Sequence, residues 1–369
     1  MNKKKILIVY RSFYPDISPR SFRATELAKE FARQGHEVTV CLPQKNNDYT
    51  ALKNEYGIIF KFMPPVKWKS VPIIEKRILH WPSRAIRRLL QLMLEYPDIE
   101  LMFKVKRVLK KEKGYDLLIS IAVPYPIHWG VAMARTKKHR IATIWVADCG
   151  DPYMGVQTDS FKKMFYFKYV EKWFMKKADY ISIPVETARQ GYFNEFHYKI
   201  KVIPQGFKFQ NEKRNANIQI NPIPTFAYAG NFIPGVRDPS EFLEFLSTIN
   251  KQFKFYVFTS TKDLVKKYHG MLGSKLIIND IIPREELLDF LSSVDFVVNF
   301  DNNTSVQIPS KLIDYTIVGK PILNVKKMLD KVTIMEFLNG DYKNAYKIDN
   351  IEQYRIENVC KAFLALIPS

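Results

Sequence analysis

The 369-residue sequence contains three cysteines, Cys41, Cys149 and Cys360, too widely spaced for a disulfide framework or a metal-ligand pattern. A reducing compartment is therefore expected. Glycine is scarce, at 14 residues, and no Gly-x-Gly-x-x-Gly fingerprint occurs, which argues against a dinucleotide cofactor. No uninterrupted apolar run approaches the roughly 20 residues that cross a bilayer, so any membrane contact should be peripheral. The opening Met1-Asn2-Lys3-Lys4-Lys5 imitates the basic start of a signal peptide, but the apolar run behind it stops at Tyr10, too short for a hydrophobic region. Acidic residues are also in deficit: 37 Asp and Glu stand against 57 Lys and Arg, a net charge of +20. That excess points to an anionic partner, namely a membrane surface, nucleic acid or a phosphorylated substrate. Neither an RNA-binding aromatic signature nor a Cys/His zinc pattern is present, so nucleic acid is set aside.

What the chain does contain is a globular composition, 47% hydrophobic, and length enough for two domains with separate cores. Ile6-Leu7-Ile8-Val9-Tyr10 is apolar without alternation, as a buried parallel strand is. Ser18 as cap and Pro19 at the first helical position open a helix with Ala24, Leu27, Ala28 and Phe31 on one face. Gly35 ends it, and a second strand over 37–42 completes a βαβ unit. Further strands are expected over 115–120, 140–146, 226–230, 253–258, 275–278 and 296–300, and helices over 161–177 and 351–366. His128 falls just beyond the strand at 115–120, and Asp148 and Asp151 fall just beyond the one at 140–146. The carboxyl ends of such strands are where open α/β sheets hold ligands. A core histidine and two helix-capping acids fit the same spacing. Residues 67–113 carry thirteen Lys or Arg against five Asp or Glu. Within them 84–94 is amphipathic at helical spacing, with Trp81 just ahead. This suits the surface of an anionic bilayer, and equally a core-facing helix with a solvated basic back.

The densest chemistry lies in Ile308-Pro309-Ser310-Lys311-Leu312-Ile313-Asp314-Tyr315, running on to Gly319-Lys320-Pro321-Ile322-Leu323. It follows a polar loop over 301–307. Ser310 can cap a short helix with Leu312 and Ile313 facing inward, Gly319 closes it, and Pro321 starts another strand. Lys311 and Asp314, three residues apart, share a face of the first turn. A helix N-terminus offers free N–H groups and partial positive charge, which suits phosphate. Lys311 adds a cation there, and Asp314 can accept hydrogen bonds from a ribose diol. An ordinary exposed Lys–Asp pair has the same spacing.

This run resembles the donor-nucleotide segment of retaining glycosyltransferases of family 4, and the resemblance extends over nearly the whole chain. It implies the GT-B fold, two Rossmann-like domains with parallel sheets facing across a cleft. The acceptor-binding domain would occupy 1–210, a linker 211–224 and the nucleotide-sugar-binding domain 225–350. A C-terminal helix over 351–369 would cross back to the first domain. The resemblance implies donor contacts from Gly230, Arg237, Ile282, Ser310, Lys311 and Asp314. In that set Gly230 lets the backbone approach the diphosphate, Arg237 neutralises it, and Ile282 lies where the family holds the base. It also gives catalytic roles to His128, Asp148 and Asp151, through a Ser…Pro…His segment and an Asp-x-x-Asp-Pro segment. The family's two glycines after the first strand are absent here, which leaves acceptor contacts to Ser18, Arg20 or Arg23. A second departure concerns two family glutamates eight positions apart: Asp314 takes the second place and Val306 the first, where it cannot hydrogen-bond the donor sugar.

No Asp-x-Asp triplet occurs, so neither a metal nor a cofactor is expected, and Lys311, Arg237 and a helix N-terminus would stabilise the departing diphosphate. The implied reaction moves a hexose-type sugar from a UDP- or GDP-sugar, with retention, to a hydroxyl of a lipid-linked or other saccharide. The implied setting is bacterial surface-polysaccharide assembly, in the cytoplasm at the anionic inner face of the cell membrane. Two rivals are a sugar-nucleotide 2-epimerase of the same fold, which needs no acceptor, and a non-enzymatic basic protein binding membrane or nucleic acid. The second would explain the charge but not why His128, Asp151, Arg237 and Lys311 all fall at strand ends.

Overall fold

A computed structural model describes residues 2–16, 18–73, 77–156, 161–209, 221–301, 310–348 and 350–368. The chain divides into two compact units, Met1–Lys208 with Gln353–Ser369, and Phe209–Glu352. Each is an α/β unit built on one parallel sheet.

The first unit runs β1 Lys5–Val9, α1 Pro19–Arg33, β2 Glu37–Pro43, α2 Thr50–Tyr56, β3 Ile59–Met63, α3 Arg77–Leu94, α4 Glu100–Leu109 and β4 Tyr115–Ile121. It continues through α5 Pro126–Ala134, β5 Ala142–Asp148, α6 Phe167–Lys177, β6 Tyr180–Ile183 and β7 Ile200–Val202. The strand order is β3-β2-β1-β4-β5-β6-β7, all parallel. Chain direction across the sheet reverses between β1 and β4, so the loops leaving these two strands diverge and leave a crevice at their carboxyl ends. Ile6, Leu7, Ile8 and Val9 are fully buried, which is what a strand covered on both faces by helices requires.

The second unit comprises β8 Thr225–Ala229, α7 Ser240–Thr248, β9 Lys254–Phe258, α8 Asp263–Lys266, α9 His269–Leu272, β10 Leu276–Asn279 and α10 Arg284–Ser293. After these come β11 Phe296–Phe300, α11 Ser310–Val318, β12 Ile322–Val325 and α12 Lys331–Leu338. The sheet order is β10-β9-β8-β11-β12, again all parallel, with its reversal between β8 and β11. Its core is aromatic: the ring of Phe226 stacks on Phe255 at 4.7 Å and on Phe296 at 4.6 Å. The chain then returns to the first unit as α13 Ile356–Leu364. There Phe363 lies under the Arg23 guanidinium of α1, 5.6 Å from ring centroid to charge.

Two expectations are corrected by tertiary contacts. The helix expected over 161–177 begins at Phe167, because Lys163 pairs with Glu95 and Tyr166 bonds to the Met93 carbonyl, fixing 161–166 against α3. The helix expected over 351–366 is broken at Arg355, whose extended backbone lets Tyr354 and Ile356 hydrogen-bond Phe207 at 2.8 and 2.9 Å. Of the linker, 211–220 lies outside the described residues, while Asn221 is tied to Asp295 of the second unit by bonds of 3.1 and 3.0 Å. Among the described residues no helix is long and apolar enough to cross a membrane.

Candidate active site

In the second unit the candidate residues collect where the sheet reverses. β8 is followed by Gly230, whose φ of 144° lies in a region side-chain-bearing residues rarely adopt. A Cβ there would stand 3.2 Å from the Tyr228 hydroxyl and 3.8 Å from Lys311 Cδ. α11 is fastened to the same strand end, because the buried Tyr315 hydroxyl accepts the Ala229 N–H at 2.9 Å. The first turn of α11 therefore lies beside Gly230. From that turn Lys311 reaches over Tyr228, with Nζ 3.3 Å from its hydroxyl and 4.4 Å from the ring centroid. Burial pushes the Lys311 ammonium down to about 7, and nearby Arg237 pushes it the same way. Arg237 emerges from a tight turn closed by Ile233, and its Nε is buried with no hydrogen-bond partner among the described residues. Two basic side chains thus lie near one another, partly withdrawn from water, beside a strand end that carries no side chain, an arrangement suited to an anion.

Asp314, on the same turn, accepts two bonds from Arg284 of α10, at 3.0 and 2.5 Å. Burial raises its carboxyl above the usual range, and Arg284 works against that. Ile282 is half-buried in the loop between β10 and α10. Ser310 is the first residue of α11, but its side chain, like Val306 and the rest of 302–309, lies outside the described residues. Lys326 and Lys327, after β12, line a pocket with Gly235, Val236, Asp238 and Asp301, next to Arg237. Sequence reasoning passed over these lysines, Tyr228 and the pairing of Arg284. Only the lysines carried a signal, a basic pair at a strand's carboxyl end.

The first unit is arranged differently. Asp148, 1% exposed at the end of β5, is gripped by two arginines of α1. Arg23 bonds both its oxygens at 2.7 Å, Arg20 adds one at 2.6 Å, and the Ser182 hydroxyl another at 2.7 Å. Burial alone would raise this carboxyl, but the two arginines and Ser182 prevail and hold it at about 2. Arg23, 2% exposed, gives its remaining donors to the Pro204 and Ile203 carbonyls at 2.6 and 3.1 Å. His128 is fully enclosed, with Nδ1 2.8 Å from Ser120 Oγ, Nε2 3.5 Å from Cys149 Sγ, and its ring stacked on Phe174. Burial drives its pKa down to about 3, so the ring is neutral. Asp148, His128 and Arg23 thus all sit inside the first unit, each engaged by neighbouring groups. All three side chains are closed off and satisfied by neighbours. Ser18 caps α1, accepting the Ser21 N–H at 3.1 Å, so its oxygen is engaged in starting the helix. Arg20 keeps 17% exposure while also donating to the Ala122 carbonyl at 2.5 Å, and Asp151 is half-buried with its carbonyl bonded by Tyr125.

A family model, Glycosyltransferase Family 4, matches residues 22–210 of the chain. No curated protein matches the chain by sequence. Among solved structures, a glycosyltransferase from Rickettsia africae is similar at 11% identity and a TM-score of 0.62, over 100% of this chain and 95% of that one. The lipopolysaccharide outer core galactosyltransferase WaaB, in its apo form, is similar at 13% identity and a TM-score of 0.58, over 98% and 99%. Anabaena HepE, solved in complex with UDP and glucose, is similar at 12% identity and a TM-score of 0.54, over 99% and 95%. At these identities the likeness speaks for the fold, which is that of the GT-B glycosyltransferases.

Proposed function

The chain belongs to glycosyltransferase family 4, and from that premise we propose that it transfers a sugar from a nucleoside-diphosphate sugar, with retention, to a hydroxyl of a lipid-linked saccharide. The observation that carries the donor half is the nearness of Lys311 to Arg237 beside Gly230, a basic pair with one guanidinium N–H left without a partner among the described residues. As the bond from sugar to diphosphate breaks, negative charge gathers on the leaving phosphate. Lys311, Arg237 and the N–H groups opening α11 meet that charge, which lowers the barrier without a proton donor. In this reading Asp314 takes the ribose, the loop at Ile282 the base, and the leaving phosphate oxygen the acceptor's proton. Arg20 and Asp151 are the acceptor-side contacts. Asp148, Arg23 and His128 hold the loops that carry them. The complex of HepE with UDP supports a uridine donor, and a guanosine donor has the same chemistry.

The lipid-linked acceptor and a place at the inner face of the cell membrane rest on α3. Ile86, Leu89 and Met93 are exposed along one side of this helix, Trp81 is 72% exposed at its start, and Arg84 and Arg87 are exposed with them. Phe161 and Phe165, also exposed, belong to the segment fixed against α3, where Arg88 covers the Phe161 ring at 5.6 Å. Aromatic and basic side chains together suit the interface of an anionic leaflet.

Calorimetry with UDP and GDP tests the donor half. Lys311→Ala and Arg237→Ala should each weaken binding by about 1.5–3 kcal/mol, the range for hydrogen bonds to charged groups. Unchanged affinity in both variants would remove the two residues from the site.

A further inference from the structure

Asp314 has a partner that its own helix does not supply. Arg284, the first residue of α10, donates to it from Nε at 3.0 Å and from Nη2 at 2.5 Å, and both bonds end on the same oxygen, Oδ1. An arginine and a carboxylate meeting without other demands commonly fork across both oxygens. Here one oxygen takes both donors, and the lone pairs of Oδ2 lie outside the grip. The pair is not a loose surface contact: the Asp314 side chain is 17% exposed and that of Arg284 35%. Their helices are locked together, Leu288 and Leu291 of α10 sharing one buried cluster with Leu312 and Tyr315 of α11. Arg284 also follows directly on the loop Ile281-Ile282-Pro283.

Building on the reading of α11 as the donor segment, we propose that Arg284 is a positioning residue for the nucleoside. It holds Asp314 by Oδ1 so that Oδ2 accepts a hydrogen bond from a ribose hydroxyl. Aspartate gains from such a hold because its short side chain reaches less far than a glutamate, and a free carboxylate would turn about its last torsion. With Oδ1 fixed, the direction of Oδ2 is set by the packing of α10 on α11. The ligand class is a ribonucleoside diphosphate, distinguished from its deoxy counterparts by a residue that acts through another.

Titration calorimetry with UDP, 2′-deoxy-UDP and 3′-deoxy-UDP, and with the guanosine set, tests this on the full chain. Wild type should prefer the ribonucleotide by about tenfold or more over at least one deoxy form, as expected for a hydrogen bond to a charged group. In Arg284→Ala the ratio should fall towards one, and Arg284→Lys should keep part of it and serve as the folded control. Lys311→Ala should weaken all the nucleotides alike and leave the ratio as it was. A wild type without ribose preference, or an Arg284→Ala ratio equal to that of wild type, overturns the positioning role while leaving the donor site standing. If wild type binds none of the nucleotides, or Lys311→Ala binds them as wild type does, the donor reading itself fails.

Discussion

The two units use arginine and lysine in opposite ways. In the first, Arg20 and Arg23 converge on Asp148, and the three charges answer one another inside the protein. In the second, Lys311 and Arg237 converge with no carboxylate between them among the described residues. The buried acid of the first unit is held at about 2, while the lysine of the second is pushed down to about 7. A charge cluster closed by its own counter-ion is part of the architecture. A cluster of one sign, withdrawn from water, is stable only because something else supports it, and it is eased when an anion arrives. Net charge alone separates neither case; the distinction lies in whether the counter-charge belongs to the chain.

The largest expected effect follows from this contrast. Asp148→Asn leaves two buried guanidinium groups facing a neutral amide and should cost about 3–5 kcal/mol of stability, read by urea unfolding. Lys311→Met should cost nothing comparable, since it removes a charge that burial already opposes. Equal losses in the two variants would erase the distinction.

pH sharpens it further. The stabilisation from Asp148 is complete above its unfolded-chain pKa of about 4 and is lost as pH falls through about 2. Lys311 runs the other way. Between about 7 and its unfolded-chain value near 10.4 the unfolded state holds a proton that the folded state has released, so its contribution to stability rises with pH across that window. The difference between wild type and Lys311→Met isolates that slope. Binding of a diphosphate restores the charge, so at pH 8 nucleotide binding should take up a proton, measurable by calorimetry in two buffers of unlike ionisation enthalpy. Uptake that persists in Lys311→Met would assign it to another group.

The smallest effect concerns the surface of the first unit. Co-sedimentation with anionic vesicles should fall with added salt, and further when Arg84, Arg87 and Arg88 are changed together to Glu, at about 1 kcal/mol for each basic residue near the leaflet. Nucleotide affinity in the second unit should not change. A protein that stays in the supernatant at low salt would return α3 to ordinary solvated surface and favour a soluble acceptor.

Local signals carried much of this architecture. The Ser18 cap and the apolar face of α1 were readable because capping and helical period are properties of neighbouring residues. The placement of Lys311 and Asp314 on one turn was readable for the same reason. What escaped depends on residues far apart in the chain. Nothing near Asp148 announces that arginines 125 and 128 positions away will surround it. The pairing of Asp314 with Arg284 arises only when α10 and α11 pack. The edge strand β3, Ile59-Phe60-Lys61-Phe62-Met63, was passed over, since its place is set by pairing with β2. His128 was placed correctly at a strand end, yet its burial comes from Phe174, a residue of a helix that folds over it.

The return of α13 to the first unit bears on how the protein is made. Gly206 packs so closely against Ile356 that a Cβ there would lie 2.4 Å from its Cδ1, and Phe363 sits under Arg23. The first unit to leave the ribosome is therefore the last to be finished: its closing helix is synthesised only after all of Phe209–Glu352. Until then the nascent chain carries α1 without the cover that α13 supplies over Arg23, while the second unit, one continuous stretch of sequence, has every residue it needs. Removing α13 would thus damage the first unit and spare the second.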